Sequence, residues 1–294
     1  MRFTITLAVA GLSVGSIYAL IAVTLNLTFW TTRTVNFGQG AILMLCTMAT
    51  AVAARSGVPI WLAGTVGILA SAFAMVIAER VCVLPASKVG GSMGWAVSTL
   101  GFGILIQGIV SKYLGNQAVA FPDVVLDAAQ FVDLFGIRIG AQYLVVFAFS
   151  LTVIALLDLA IRYTVWGRVV QAVAQDPELT RVFGVPMRRV VVVSFALSGA
   201  MAGVAGILTA QIIGTVDPAF GFSLLISGFV ASIVGGFGRN WGALLGGLVI
   251  GVIEQVVGGY VSTAAGHGVS LAVLMVVLAV RPQGLLGRAE AVKA

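Results

Sequence analysis

Apolar residues come in long blocks along this chain, and short polar clusters separate them. The blocks lie at about 4–29, 35–54, 60–78, 94–112, 141–161, 190–213, 221–237, 242–262 and 266–280. A helix needs about 20 apolar residues to cross the hydrocarbon core of a bilayer, and the shorter blocks predict tilted, re-entrant or half-spanning helices. Spanning strands would alternate apolar and polar residues with period two, and these blocks do not. The pattern predicts an all-α polytopic membrane protein of about 8–10 transmembrane helices. The core of a cleaved signal peptide is about 7–15 residues, so the longer run from Thr4 to Phe29 reads as a first spanning helix.

Composition strengthens this reading. Only 9% of residues are charged and 60% are hydrophobic, whereas a soluble domain has about 25% charged residues. No stretch reads as a soluble domain or linker, so residues 1–294 are expected to form a single transmembrane domain. The net charge of +6 does not point to nucleic acid, because the arginines are scattered over several loops. Cys46 and Cys82 sit in or beside apolar blocks and give neither a disulfide framework nor a metal site. His267 is the lone histidine, which argues against a histidine-rich metal centre.

The longest polar interruption is Ile161–Val190, with Arg162, Arg168, Arg181, Arg188 and Arg189 set against Asp176 and Glu178. Asp176 suits an N-cap, and Pro177 suits the first helical position. Glu178 and Arg181 match the two ends of a helix dipole. Gly184 suits a left-handed C′ position, with Pro186 as a stop. The segment predicts two short helices, about Gly167–Gln175 and Pro177–Phe183, meeting at Asp176. It is either a solvated connection or a structured surface for a partner. Basic loops face the cytoplasm. With this loop inside, the loops at Arg33, at Arg80 and Lys88, and at Arg239 are also inside, as is the tail with Arg281, Arg288 and Lys293. That arrangement collects 12 of the 16 basic residues on one side. The Gly115–Gly140 loop, with Asp123, Asp127 and Asp133, falls outside.

Four pairs of glycines have the spacing that lets helix backbones approach closely: Gly11/Gly15, Gly199/Gly203, Gly242/Gly246 and Gly247/Gly251. They are expected to close intramolecular crossings rather than subunit contacts. Gly235–Gly238 reads as a sharp break at a membrane surface, because no phosphate-loop pattern occurs in the chain. Any work driven by ATP would therefore need another subunit to bind it.

No catalytic residue is expected. There is no nucleophile–base–acid grouping, no H-E-x-x-H and no paired carboxylates, and Asp158 and Glu254 are the acids within spans. Glu254 either lines a path, or is an acid near a membrane face or one neutralised by protonation or a neighbour, and the second reading is favoured. In Thr34–Gly40, the polar Asn36 and Gln39 would not sit cheaply against lipid, and Gly38 and Gly40 permit a broken helix. These four residues either line a substrate path or cap the start of the second span. The open classes are a transporter subunit, a stand-alone secondary carrier or channel, and an enzyme.

Several stretches, in order along nearly the whole chain, carry a resemblance. They are Gly11-Leu-Ser-Val-Gly-Ser-Ile-Tyr-Ala-Leu20 with Arg33-Thr-Val-Asn-Phe-Gly-Gln-Gly40, then Gly167-Arg-Val-Val-Gln-Ala-Val-Ala-Gln-Asp-Pro177 through Val185. Phe195-Ala-Leu-Ser-Gly-Ala200, Ala202-Gly-Val-Ala-Gly206, Val234-Gly-Gly-Phe-Gly238, Trp241-Gly-Ala-Leu-Leu-Gly-Gly247 and Val280-Arg-Pro-Gln-Gly-Leu-Leu-Gly287 follow. Together they resemble the permease subunits of branched-chain amino-acid ABC importers, a branch of the type II importers.

The resemblance implies a type II importer-like permease fold, a multi-pass place in a bacterial inner (plasma) membrane, and a path for branched-chain or related hydrophobic amino acids. It implies a second permease (a paralogue or an identical copy), two cytoplasmic ATPases holding ATP and magnesium, and a periplasmic substrate-binding protein, with no cofactor on this chain. It also makes residues 162–189 a coupling loop that docks in an ATPase, with Asp176, Pro177, Glu178, Leu179, Arg181, Phe183 and Gly184 as the docking helix. The chain departs from the family at Asn36-Phe-Gly-Gln-Gly-Ala41, where members often read Asn-Phe-Ala-His-Gly-Glu. Urea, short amides and aromatic carboxylates, which the family also carries, therefore stay open as substrates.

Overall fold

The computed structural model describes residues 2–86, 93–122, 131–134, 137–281 and 284. Lys88, Asp123, Asp127, Arg288 and Lys293 lie outside them. The helices are α1 (Arg2–Thr32), α2 (Gln39–Arg55), α3 (Ile60–Ala78), a π-helical turn (Glu79–Val83), α4 (Leu84–Ala86), α5 (Gly94–Leu114) and α6 (Ala141–Tyr163). Next come α7 (Val165–Gln175), α8 (Pro177–Val182), α9 (Met187–Ile213), α10 (Phe220–Gly235), α11 (Asn240–Tyr260) and α12 (Thr263–Val280). Six runs among the described residues are long and apolar enough to cross a membrane: Phe3–Thr32, Ile60–Ala86, Gly94–Leu114, Ala141–Tyr163, Met187–Ile213 and Asn240–Tyr260. Gln39–Arg55, Phe220–Gly235 and Gly268–Val280 are apolar but shorter. Each expected block thus has its helix.

The third block runs on past its expected end at Ala78. Glu79 and Arg80 look like a boundary in the sequence, but Arg80 Nε lies 3.2 Å from Glu79 Oε2, and Glu79 is buried. The helix absorbs the pair by widening into one π turn and continues to Ala86.

The chain forms two compact units: Met1–Asn26, Ala128–Thr152 and Ile226–Ala294 in one, Leu27–Asp127 and Val153–Leu225 in the other. α3 turns mostly small residues inward and large ones outward, as expected where lipid rather than water surrounds a helix. On α3, Ala63, Gly67, Ser71, Ala74 and Ala78 are buried, while Trp61, Val66, Leu69 and Phe73 are exposed. In the second unit α2 is the central helix and packs on α3, α5 and α9. Its 17 residues would reach only about 25 Å at the usual rise. A helix enclosed by protein need not match the bilayer. Gly199 and Gly203 of α9 approach Ser71, Ala72 and Met75 of α3 and Cys46 of α2 closely enough that a methyl group on either would collide.

In the first unit, Gly11 and Gly15 of α1 lie on Gly247 and Gly251 of α11. A Cβ on Gly15 would stand 2.6 Å from the Gly247 oxygen, and one on Gly251 would stand 2.3 Å from Gly15 Cα. Gly242 and Gly246 meet Gly235 and Ala231 of α10 in the same way. All four pairs therefore close internal crossings.

Two short ribbons lie outside the apolar blocks. β1 (Val119–Ala120) pairs antiparallel with β4 (Thr215–Val216), with Val119 opposite Val216. Val119, Phe121 and Val216 pack on Met44, Met48 and Ala51 of α2, covering one end of that unit. β2 (Phe131–Leu134) and β3 (Ile137–Gly140) form a hairpin in the other unit.

Candidate functional site

The Ile161–Val190 segment is ordered from its own residues. Thr164 ends α6 and caps α7: its hydroxyl oxygen accepts from the Gly167 amide at 3.0 Å. α7 therefore starts two residues before its expected position. A side chain at Gly167 could not be accommodated, because a Cβ there would lie 2.2 Å from the Ile161 oxygen. Gln171 Nε2 donates to that same oxygen at 3.2 Å and fixes the corner between α6 and α7.

α7 is amphipathic. Val170 and Val173 are fully buried and form a small core with Val190, against Trp30, Trp166 and Met187. Asp176 then acts as expected: its Oδ1 accepts from the Leu179 amide at 2.9 Å, and Pro177 occupies the first turn. Glu178 and Arg181 lie in the first and last turns of α8. Gly184 has φ +77°, and its amide donates to the Arg181 oxygen, closing the helix as a left-handed cap.

The result is a projection of two capped helices. The Thr180 side chain turns inward, its hydroxyl donating to the Asp176 oxygen at 2.6 Å. Leu179, Val182 and Phe183 turn outward and are 55%, 82% and 78% exposed. Together they form an exposed apolar patch on a polar, basic segment.

The second candidate, Thr34–Gly40, is enclosed within its own unit. Asn36 Oδ1 accepts from the Gly38 amide at 2.8 Å, and its Nδ2 faces Met75 Sδ at 3.1 Å. Gln39 Nε2 donates to Ser198 Oγ of α9 at 3.0 Å. Gly38 packs on the Thr99 oxygen of α5, and Gly40 on the Gly221 oxygen. Phe37 stacks on Trp95 with centroids 6.2 Å apart. Asn36 thus acts as a turn cap ahead of α2, and Gln39 as a clamp between α2 and α9.

Glu254 lies in the other unit and is also internal. It accepts from the Tyr18 hydroxyl at 3.1 Å and from Ser270 Oγ at 2.9 Å. Both carboxylate oxygens are engaged by hydroxyls of the same unit.

Sequence reasoning missed three contributors. Thr164 carried a readable N-cap signal. Arg33 was counted only as a charge, yet its guanidinium donates to the Ala174 oxygen near the end of α7. Ser198 carried no local signal, because its partner Gln39 is distant in the chain.

Comparison with known proteins places this architecture. Residues 7–278 match the family model described as branched-chain amino acid transport system / permease component. The chain is 33% identical to the high-affinity branched-chain amino acid transport system permease protein LivH of Escherichia coli K12, covering 96% of this chain and 95% of that one. It is 30% identical to BraD of Pseudomonas aeruginosa, a permease protein of the same description, with 97% and 96% covered. An inward-facing ABC transporter of metal-chelate type shares the fold with a TM-score of 0.51 at 14% identity, over 92% of this chain and 84% of that one. This chain is a multi-pass inner-membrane protein that belongs to the permease component family of branched-chain amino acid ABC transport systems.

Proposed function

We propose that residues 1–294 work as one permease domain, forming the translocation path for branched-chain or related hydrophobic amino acids in an ATP-driven importer. A periplasmic binding protein delivers the substrate, and a second permease, identical or paralogous, completes the path. Two cytoplasmic ATPases hold ATP and magnesium and perform the hydrolysis. This chain supplies no catalytic group and binds no cofactor. The observation that carries the reading is α8, where a capped helix on a basic loop presents Leu179, Val182 and Phe183 to solvent. These side chains suit an apolar groove on an ATPase, and the arginines around them suit its acidic rim. Movement of the ATPases would then reach the spans through α7.

The buried amides of Asn36 and Gln39 belong, on this reading, to the element that switches the path. The shift from the family's usual His and Glu to Gln39 and Ala41 keeps urea, short amides and aromatic carboxylates in view as substrates. Competition of each against labelled leucine would rank them.

The test replaces Leu179 and Phe183 together by Glu in the assembled transporter. We expect the ATPases to be lost on purification and ATP-driven uptake to fall to background, while the permease still inserts in the membrane. Normal ATPase recovery with normal uptake would remove the docking role of α8.

A further inference from the structure

We propose that Arg33 is a positioning residue that transmits movement of the α7–α8 projection to the corner between α1 and α2. The proposal rests on the docking role of α8 given above. Arg33 is the single non-glycine residue with positive φ among those described, at +56°. A left-handed arginine is uncommon, because its Cβ crowds the backbone. Here the conformation turns the chain sharply after α1, its amide still donating to the Phe29 oxygen at 2.8 Å.

The guanidinium sits 5.8 Å from the centre of the Phe29 ring and donates to the Ala174 oxygen. Ala174 is the next-to-last residue of α7, so its carbonyl is among those a helix leaves without an internal partner. A cation at that end also complements the helix dipole. Two residues on, Asp176 begins α8, so Arg33 grips the hinge between the two loop helices.

On its other side Arg33 leads into a short, pinned link. Asn36 is tied to Gly38 and Met75, and Gln39, the first residue of α2, to Ser198 of α9. A link held at both ends passes displacement on rather than absorbing it. Trp30, one turn before Arg33, rests on the Val170–Val173 core of α7 and keeps the end of α1 and α7 together. Movement of the α7–α8 hinge therefore reaches Asn36 and Gln39 through Arg33, with Trp30 packed beside it.

The test uses the whole transporter in membrane vesicles, with labelled leucine and ATP hydrolysis measured together. Arg33→Ala and Arg33→Gly are compared with Arg33→Lys. Glycine accepts the positive φ but lacks the donor, and lysine keeps a cationic donor. We expect both Ala and Gly variants to retain their ATPases and hydrolyse ATP, with leucine moved per ATP falling at least about fivefold, the lower end of usual coupling between sites. Lysine should restore part of the loss. Recovery with glycine would show that only the backbone turn matters and would overturn the proposal.

A second measurement keeps Arg33 in place. Thr34→Cys, in a chain with Cys46→Ala and Cys82→Ala, should change its rate of maleimide labelling between the nucleotide-free and vanadate-trapped states. An unchanged rate would also overturn the proposal. The Leu179→Glu, Phe183→Glu variant reports separately on docking: if it keeps its ATPases, the docking reading has failed rather than the role of Arg33.

Discussion

At the scale of single residues, several polar groups in the apolar interior meet a partner that is already positioned. Glu254 is the clearest case, with the Tyr18 and Ser270 hydroxyls both donating to its carboxylate. Glu254→Gln keeps an acceptor and the shape, and should leave uptake within a few-fold of normal. Glu254→Leu removes the acceptor from both hydroxyls and should cost about 1–3 kcal/mol, read as a lower melting temperature in detergent. Complete loss of uptake from Glu254→Gln in an assembled transporter would instead put the carboxylate in the path. Asp176 makes the same argument at the surface. Asp176→Ala removes the acceptor for the Leu179 amide, which should cost about 0.5–2 kcal/mol of local stability. Hydrogen exchange at that amide should speed up, and Asp176→Asn should preserve its protection.

At the scale of elements, close backbone approach holds the first unit together. The α1–α11 crossing has no room for a side chain at Gly15. Gly15→Leu should therefore abolish the yield of monodisperse protein, whereas Gly108→Leu, with nothing within 4 Å of its added Cβ, should be tolerated. Equal yields would mean that the crossing does not hold the helices together.

The elements also show what a sequence makes legible. Among the described residues, long apolar blocks located each helix long enough to span, because hydrophobicity is a local property. The Asp176-Pro177 junction and Gly184 were legible for the same reason, since a cap signal lies within a few residues of the helix it starts or ends. The Ile137-Arg-Ile139 alternation was a readable strand signal that the polarity of its loop concealed. The β1–β4 pairing joins residues almost a hundred apart, and the Gln39–Ser198 clamp spans a still longer separation. Neither has a local signature. The π turn at Glu79 was hidden because the sequence shows two charges and not their mutual pairing.

At the scale of the whole molecule, the alternation of helices and loops assigns each loop to a membrane side. Within one unit the hydroxyls of Thr4, in the first turn of α1, and Tyr260, at the end of α11, meet at 2.6 Å, as helix ends on the same side should. Within the other, β1 and β4 join the loop after α5 to the loop after α9 at one end. The Arg33–Ala174 contact joins the loop after α1 to the α7 segment. The basic residues then predict that α8 is cytoplasmic and the loop after α5 external. In a chain without Cys46 and Cys82, cysteines at the exposed Val182 and Gln117 should label from opposite sides of sealed vesicles. Val182 serves better than Thr180, whose side chain is buried. Labelling of both from the same side would reverse the topology.

The central claim is that this chain moves its substrate only as one part of an ATP-driven assembly. Reconstitution in liposomes tests it directly, with the permease pair, the ATPases and the binding protein added or withheld one at a time and labelled leucine uptake recorded. The account predicts uptake only when all components and ATP with magnesium are present, and none from this chain alone under an ion gradient. Gradient-driven uptake by the isolated chain, without ATPases or binding protein, would make it a secondary carrier and contradict the account.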